Sequence, residues 1–184
     1  MNSRGSKKGK ESTNMDVGPK KVRMETTMGD IIIELNEEAA PVTTKNFLRY
    51  VQEDFYNGTV FHRVIPDFMI QGGGFTKEVV QKETHASIVN EANNGLKNER
   101  GAIAMARTNN PDSATAQFFI NHTNNDFLNY IDDGNPGYAV FGKVIEGMET
   151  VDKIAMVNTT NQKGMEDVPV EPVMIKSAEV ISGK

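Results

Sequence analysis

Two strand-like stretches carry the side chains best suited to chemistry. In TVFHRV, residues 59–64, an arginine and a histidine stand side by side among apolar neighbours. Strict two-residue alternation puts Thr59, Phe61 and Arg63 on one face and Val60, His62 and Val64 on the other. A guanidinium is rarely buried without a partner, so Arg63 is either half of a surface ion pair or a cation held for use. His62, among valines, reads as a core or near-core histidine held by a hydrogen bond. A catalytic base would want an orienting carboxylate, and the nearest, Asp67, lies beyond Pro66. In QFFIN, residues 117–121, Gln117 and Phe119 share one face and Phe118 and Ile120 the other. A one-sided core cannot bury both phenylalanines, so one lines an outer pocket or lies under a loop or helix. Met69 and Gln71 share a face of FMIQ; an apolar residue beside an amide suits a peptide groove or an ordinary half-buried strand. Met105, Ala106 and Arg107 end another strand with a second arginine. Gly72-Gly73-Gly74 lacks the G-K-[ST] ending and the following helix of a phosphate loop.

Several chemistries are excluded outright. The chain has no cysteine, hence no disulfide, thiol nucleophile or cysteine-based metal site. Its three histidines, His62, His85 and His122, include no i, i+4 pair, which excludes a zincin-type helix. No Ser-His-Asp order and no paired carboxylates stand out. An enzyme built from these residues would work without metal, cofactor or covalent intermediate, and rotation about a bond is one reaction that permits this. No apolar run is long enough to span a membrane.

At 184 residues the chain is one domain. Residues 1–23 carry net charge +5, whereas residues 24–184 carry 13 basic and 23 acidic side chains, net −10. An acidic body argues against nucleic acid as the partner. Residues 1–20 are almost devoid of apolar content and are expected to be a disordered basic tail. A solubilising extension is the favoured reading, a tether to nucleic acid or membrane the weaker one. No apolar stretch follows the basic start, so no secretory signal is read and a cytoplasmic location is expected.

The positioning elements follow from periodicity. Strands flank Gly29-Asp30 as a hairpin. Pro41 to Glu53 reads as an amphipathic helix with Phe47, Leu48, Tyr50 and Val51 on one face. Strands are expected at 59–64 and 68–71, joined at Ile65-Pro66-Asp67, with the three glycines breaking the pattern. Residues 76–100 read as a long polar loop of functional character. Strands resume at Ala102–Ala106, Gln117–Asn121 and Tyr138–Val144, separated by polar, turn-prone segments. A helix over about 147–155 and a last strand, Val173–Ile181, complete the chain. Many short strands and two helices predict an antiparallel barrel or sandwich with helical caps.

Four blocks in order, FHRVIPDFMIQGG, GAIAMART, SATAQFFIN and YAVFGKVIEGM, resemble the cyclophilin family of peptidyl-prolyl cis–trans isomerases. The resemblance runs from about residue 21 to 182. NEANNGLKNERG, AMART and NDFLN are similar to the small single-domain cytoplasmic cyclophilins of prokaryotes. It implies a mainly β fold: an eight-stranded closed antiparallel barrel capped by two α-helices, formed by residues 21–184, with the site in a groove on the outer face. It places the catalytic arginine on Arg63, the proline pocket on Phe68, Met69, Phe119 and Leu128, and the groove for neighbouring backbone on Gln71, Ala106, Arg107 and Gln117. Arg107, Phe127 and Tyr138 stand where eukaryotic members usually have asparagine, tryptophan and histidine. Phe127 and Tyr138 fall on the rim of the same substrate groove.

The expected partners are proline-containing segments of unfolded or flexible chains, and the expected activity is prolyl isomerisation in the service of protein folding. Cyclosporin is expected to bind weakly, because Phe127 lacks the indole N–H. The protein is expected to act as a monomer. The reading kept beside the enzyme is a proline-segment binding module or chaperone with incidental catalysis. The intact set of Arg63, Phe119 and Gln117 favours the enzyme.

Overall fold

The computed structural model describes residues 18–181. Ten strands and two helices follow in chain order: β1 (Lys21–Thr26), β2 (Gly29–Leu35), α1 (Pro41–Gln52), β3 (Thr59–Ile65), β4 (Met69–Thr76), β5 (Ala102–Met105), β6 (Phe118–Asn121), β7 (Val140–Glu146), α2 (Met148–Ala155), β8 (Thr159–Gln162), β9 (Met165–Pro169) and β10 (Ile175–Ile181). Eight of the strands form one antiparallel sheet in the order β10-β1-β2-β7-β5-β6-β4-β3. The sheet rolls until its ends meet. Gly58 N–H donates to Ile175 O at 2.8 Å and Phe61 N–H to Val173 O at 3.0 Å, with a single bridge between Val60 and Met174. No continuous ladder joins β3 to β10, so the expected closed barrel is more accurately a rolled sheet with two touching edges.

Alternation along the strands selects the interior. Val22 and Met24 of β1, and Ile31, Ile33 and Leu35 of β2, point inward and are buried. Aromatic rings fill the middle. Phe47 of α1 lies 5.1 Å from Phe141 and, edge-on, 5.8 Å from Phe118, and Tyr56 donates its hydroxyl to Ala116 O at 2.7 Å. Such pairs add to the area they bury. The interior is a packed hydrophobic core.

Helix α1 begins with Pro41, whose fixed φ and missing N–H suit that position. Its N-cap residue is Ala40, which has no capping side chain. Glu91, far along the chain, supplies the cap. Its carboxylate accepts Val42 N–H at 3.2 Å, Thr43 N–H at 2.7 Å and the Thr43 hydroxyl at 2.6 Å. An anion on the orphan donors of a helix N-terminus is favourable by hydrogen bonding and by the dipole.

Three expectations change. The glycine triplet does not end a strand, since β4 runs through it to Thr76. Residues 76–100 are less a free loop than a brace. Asn90, Asn94 and Asn98 donate from their amides to Gly137 O, Val140 O and Leu128 O at 3.1, 3.0 and 3.1 Å. The β8–β9 hairpin was not expected: β8 is polar throughout, β9 buries only Val168 and Pro169, and Lys163-Gly164 forms the turn with both φ positive, at 51° and 80°. The reading of residues 1–20 as a disordered tail lies outside the described residues as far as residue 17; at its end, Lys20 O accepts the Leu35 N–H at 2.9 Å.

Removing the borrowed cap tests this account of α1. Glu91→Ala should lower unfolding stability by about 1–2 kcal/mol, the usual scale of a lost N-cap, read from urea denaturation at neutral pH. A variant as stable as the parent would show that the Glu91 bonds contribute nothing net.

Candidate active site

The ladder registers carry one line of residues across the outer face. Arg63 of β3 pairs with Gln71 of β4, Gln71 with Phe119 of β6, and Phe119 with Ala104 of β5. A second apolar cluster grows there, outside the barrel: Met69, Ala104, Ala106 and Phe119, with Phe68, Leu128 and Tyr138 packed against it. The expected split of QFFIN holds, since Phe118 and Ile120 belong to the inner core and Phe119 to the outer cluster.

Strict alternation fails in β3, and the failure makes the site. Phe61 pairs with Gly72 and Arg63 with Gln71, so His62 is an extra residue, a β-bulge. Phe61 and Val64 therefore both enter the core, and Arg63 turns outward. The expected shared face of Phe61 and Arg63 is corrected. So is His62 among valines: its ring packs on Phe75 at 4.4 Å.

A cavity of about 190 Å³ opens on this face, lined by Arg63, Phe68, Met69, Gln71, Ala106, Arg107, Phe119, Leu128 and Tyr138. At ~30 Å³ per water it holds roughly six, the scale of one ring-bearing residue. Of the eleven residues read from the sequence, nine line it. Gln117 stands behind, accepting from Gln71 Nε2 at 3.0 Å. Room for it comes from Gly74, where a Cβ would lie 2.5 Å from Gln117 Cγ. Phe127 is 70% exposed and stacks on Phe68 at 5.8 Å, extending the rim. Tyr138 meets Phe119 edge-on at 5.7 Å.

The cations of the cavity are held without carboxylates. Arg63 places its guanidinium 5.8 Å from the Phe68 ring centroid. Arg107 lies over Tyr138 at 4.4 Å. Among the described residues neither forms an ion pair. A guanidinium beside an apolar pocket can donate hydrogen bonds to a carbonyl oxygen or an amide nitrogen. A larger open depression of about 710 Å³ lies near Glu34, Glu37, Lys97 and Lys143. Its lining carries charges of both signs, and Arg100 there is already bound bidentately to Asp152 at 2.9 Å twice.

Sequence reasoning missed the residues that hold the walls. Asn121 donates to Asn98 Oδ1 at 3.0 Å and to Ala102 O at 3.1 Å, while Asn125 donates to Asn121 Oδ1 at 2.7 Å and to Phe68 O at 2.9 Å. All three asparagines are buried. They fix the segment carrying Leu128 against the turn carrying Phe68. His122 steadies the same turn: its Nδ1 accepts the Asp67 N–H at 2.9 Å, leaving Nε2 to donate to Asp152 at 3.1 Å. The available signal was asparagines recurring in segments too polar to hold themselves by packing.

A rolled antiparallel sheet with a filled interior, two helices and an outer pocket combining aromatic residues, amides and a guanidinium is the architecture of the cyclophilin-like proteins. The comparisons agree. The family model for cyclophilin-type peptidyl-prolyl cis-trans isomerases matches residues 21–180. The chain is 57% identical over 161 residues to the peptidyl-prolyl cis-trans isomerase of Acinetobacter baylyi, covering 88% of this chain and 85% of the relative. It is 55% identical over 161 residues to peptidyl-prolyl cis-trans isomerase B of Escherichia coli K12, covering 86% and 98%. A Cryptosporidium parvum cyclophilin-type isomerase, crystallised in the presence of the dipeptide Ala-Pro, superposes with a TM-score of 0.73 at 29% identity, covering 89% of this chain and 99% of that one. The chain belongs to the cyclophilin-type peptidyl-prolyl cis–trans isomerases and resembles the prokaryotic members. Its activity is rotation about the peptide bond before proline.

His62 is buried, and its Nδ1 has no hydrogen-bond partner among the described residues. Burial first, and the neighbouring Arg63 charge second, push its pKa down to about 4. An unfolded histidine titrates near 6.5. Between those values the unfolded chain binds the extra proton, so stability falls as pH drops from about 6.5 to about 4 and is unaffected above. At ~1.4 kcal/mol per unit the effect is roughly 2–3 kcal/mol by pH 4.5. Urea unfolding at pH 7.5 and 4.5 should show a smaller acid loss in His62→Leu by that order. Equal losses in both proteins would refute a neutral, buried His62.

Proposed function

We propose that the 190 Å³ cavity is the site of prolyl isomerisation and that Arg63 is its catalytic residue, acting on Xaa-Pro bonds in unfolded or flexible segments. The observation that carries this reading is a guanidinium with no ion pair, turned outward by a bulge onto the edge of an apolar, ring-sized pocket. The Cryptosporidium relative, whose structure was determined in the presence of the dipeptide Ala-Pro, supports a proline-containing ligand.

The chemistry asks for these groups. Amide resonance opposes rotation by ~18–20 kcal/mol. Twisting the bond localises the lone pair on the prolyl nitrogen, which becomes pyramidal and basic. A donor aimed at that nitrogen binds the twisted state better than either planar one, which is catalysis by differential binding. The fork of Arg63 can donate to the nitrogen and to the proline carbonyl together. Phe68, Met69, Phe119 and Leu128 grip the ring. Gln71, coupled to Gln117, presents amide groups to the backbone that rotates, with Ala106, Arg107, Phe127 and Tyr138 along its path. No bond breaks and no proton leaves. The protein is taken to work as a monomer in the cytoplasm. No helix among the described residues is long and apolar enough to cross a membrane.

Arg63→Ala should cost on the order of 2–4 kcal/mol of transition-state stabilisation, the scale of one preorganised donor, or roughly 30- to 1,000-fold in kcat/KM. The measurement is a protease-coupled or exchange-NMR assay on an Ala-Pro peptide, with circular dichroism to check folding. Arg63→Lys should fail too, since an ammonium lacks the planar fork. A folded Arg63→Ala protein of near-parental activity would end the assignment. Between about pH 6 and 9 the parental rate should be flat, because arginine stays charged and His62 is neutral throughout.

Phe127 supplies the rim with an aromatic surface and no donor. A cyclosporin carbonyl left unpaired there costs ~1–3 kcal/mol, so Phe127→Trp should tighten cyclosporin by about tenfold or more while peptide turnover is largely kept. Isothermal titration decides it. Affinity equal in both proteins would show that this position does not control the inhibitor.

A further inference from the structure

Arg107 lies two residues past the end of β5, on the wall of the groove away from Arg63, and its bonding is incomplete in a particular way. Its Nε and one terminal nitrogen both donate to Gly137 O, at 3.3 and 2.8 Å, and its other terminal nitrogen donates to Thr108 O at 2.9 Å. A guanidinium carries five N–H donors. Among the described residues three are engaged, and two remain, one on each terminal nitrogen. Two carbonyls and the face of Tyr138, 4.4 Å away, hold the group in place without cancelling its charge. A guanidinium with a donor left on each terminal nitrogen suits one ligand above others, the carboxylate, whose two oxygens can accept both.

The surroundings sharpen this. Residues 24–184 carry net charge −10, yet the ionisable residues lining the cavity are Arg63, Arg107 and Tyr138, with no acid among them. An acidic protein that keeps its groove cationic repels acidic chains everywhere else and accepts them here. We propose that Arg107 is a specificity-determining residue, favouring proline segments that carry an aspartate or glutamate side chain close to the proline. The inference rests on the reading of this cavity as the prolyl-peptide site.

The ladder sets the reach. From Arg63 through Gln71 and Phe119 to Ala104 the line crosses three strand spacings, ~14 Å at ~4.8 Å each, and Arg107 follows three residues after Ala104, past the end of β5. The two arginines thus start from opposite sides of the line, and both line the shared cavity of about 190 Å³. Because one small cavity is shared, an extended peptide rising ~3.3 Å per residue that seats its proline beside Arg63 passes Arg107 with a residue close to that proline.

The test is a set of Ala-Pro peptides in which each position within three residues of the proline, on either side, is in turn Glu or its neutral isostere Gln. At low ionic strength the parent protein should show kcat/KM about fivefold higher for Glu at one or two positions, equivalent to ~1 kcal/mol, and the preference should shrink as salt screens it. In Arg107→Gln the Glu/Gln ratio should fall to about one at those positions, whatever the absolute rates, and Arg107→Lys should retain part of it. A ratio of one at every position in the parent, or a preference that survives Arg107→Gln, overturns the proposal. Arg63→Ala separates this failure from that of the site itself. If it abolishes turnover of the Gln peptides while the parental ratio is one, the groove stands and the selectivity does not. If it leaves turnover intact, the groove was misplaced.

Discussion

The rolled sheet is full. Phe47, Phe61, Phe118 and Phe141 occupy its interior with no measurable exposure, and protein interiors packed to crystal-like density do not open for ligands. Everything functional must therefore be built on the outside of the barrel, where a strand has only half its residues to offer. Phe119 and Met69 are outer-face residues of strands whose inner faces hold Phe118 and Ile70. Core and site are two sides of the same strands, and a one-residue slip in either β4 or β6 would exchange them.

An outer pocket needs walls that the sheet does not supply. They come from irregular segments, whose polar backbone must be satisfied without a ladder. Side-chain amides do this. Asn90, Asn94 and Asn98 bond the carbonyls of the stretch from Leu128 to Val140, and Asn121 and Asn125 bind that stretch to the Phe68 turn. Each bond contributes about 1 kcal/mol net, but leaving a buried partner empty costs more, ~1–3 kcal/mol. Such a network resists small displacements, which a pocket the size of one ring requires. The positive φ of Asp67, 60°, lies in the same braced turn, where an aspartate tolerates the left-handed conformation better than most residues.

The sequence made the outward and inward faces of β4 and β6 legible, because uninterrupted alternation is a strong signal. It also pointed to the helix of Phe47 and Tyr50, to the β1–β2 hairpin, and, through the resemblance of four blocks, to the residues that line the cavity. It misled at β3, where one extra residue, His62, reverses parity and nothing in TVFHRV announces it. It was silent on the β8–β9 hairpin, whose strands bury little and so have no pattern to show. The cap of α1 was invisible for a different reason: Glu91 is some fifty residues from the helix it caps, and long-range partners leave no periodicity.

Three arginines show how the fold divides its cations between structure and chemistry. Arg100 is locked to Asp152 by two charge-assisted bonds, which raise its pKa and lower that of Asp152. Exposed on the surface, that pair contributes little stability, but it ties α2 to the end of β6, where Arg100 also donates to His122 O at 2.8 Å. Arg63 and Arg107 are oriented by aromatic faces, and Arg107 also by carbonyls. Neither kind of partner neutralises a guanidinium. A carboxylate in either place would hold the side chain more firmly and also occupy the donors that a peptide amide or an acidic side chain would use. In a body with an excess of acids, keeping two cations unpaired in one groove requires that the nearby acids be committed elsewhere. Asp112, for example, accepts the Asn90 N–H at 2.8 Å. The groove's positive character thus depends on where the fold spends its carboxylates as much as on where it places its arginines.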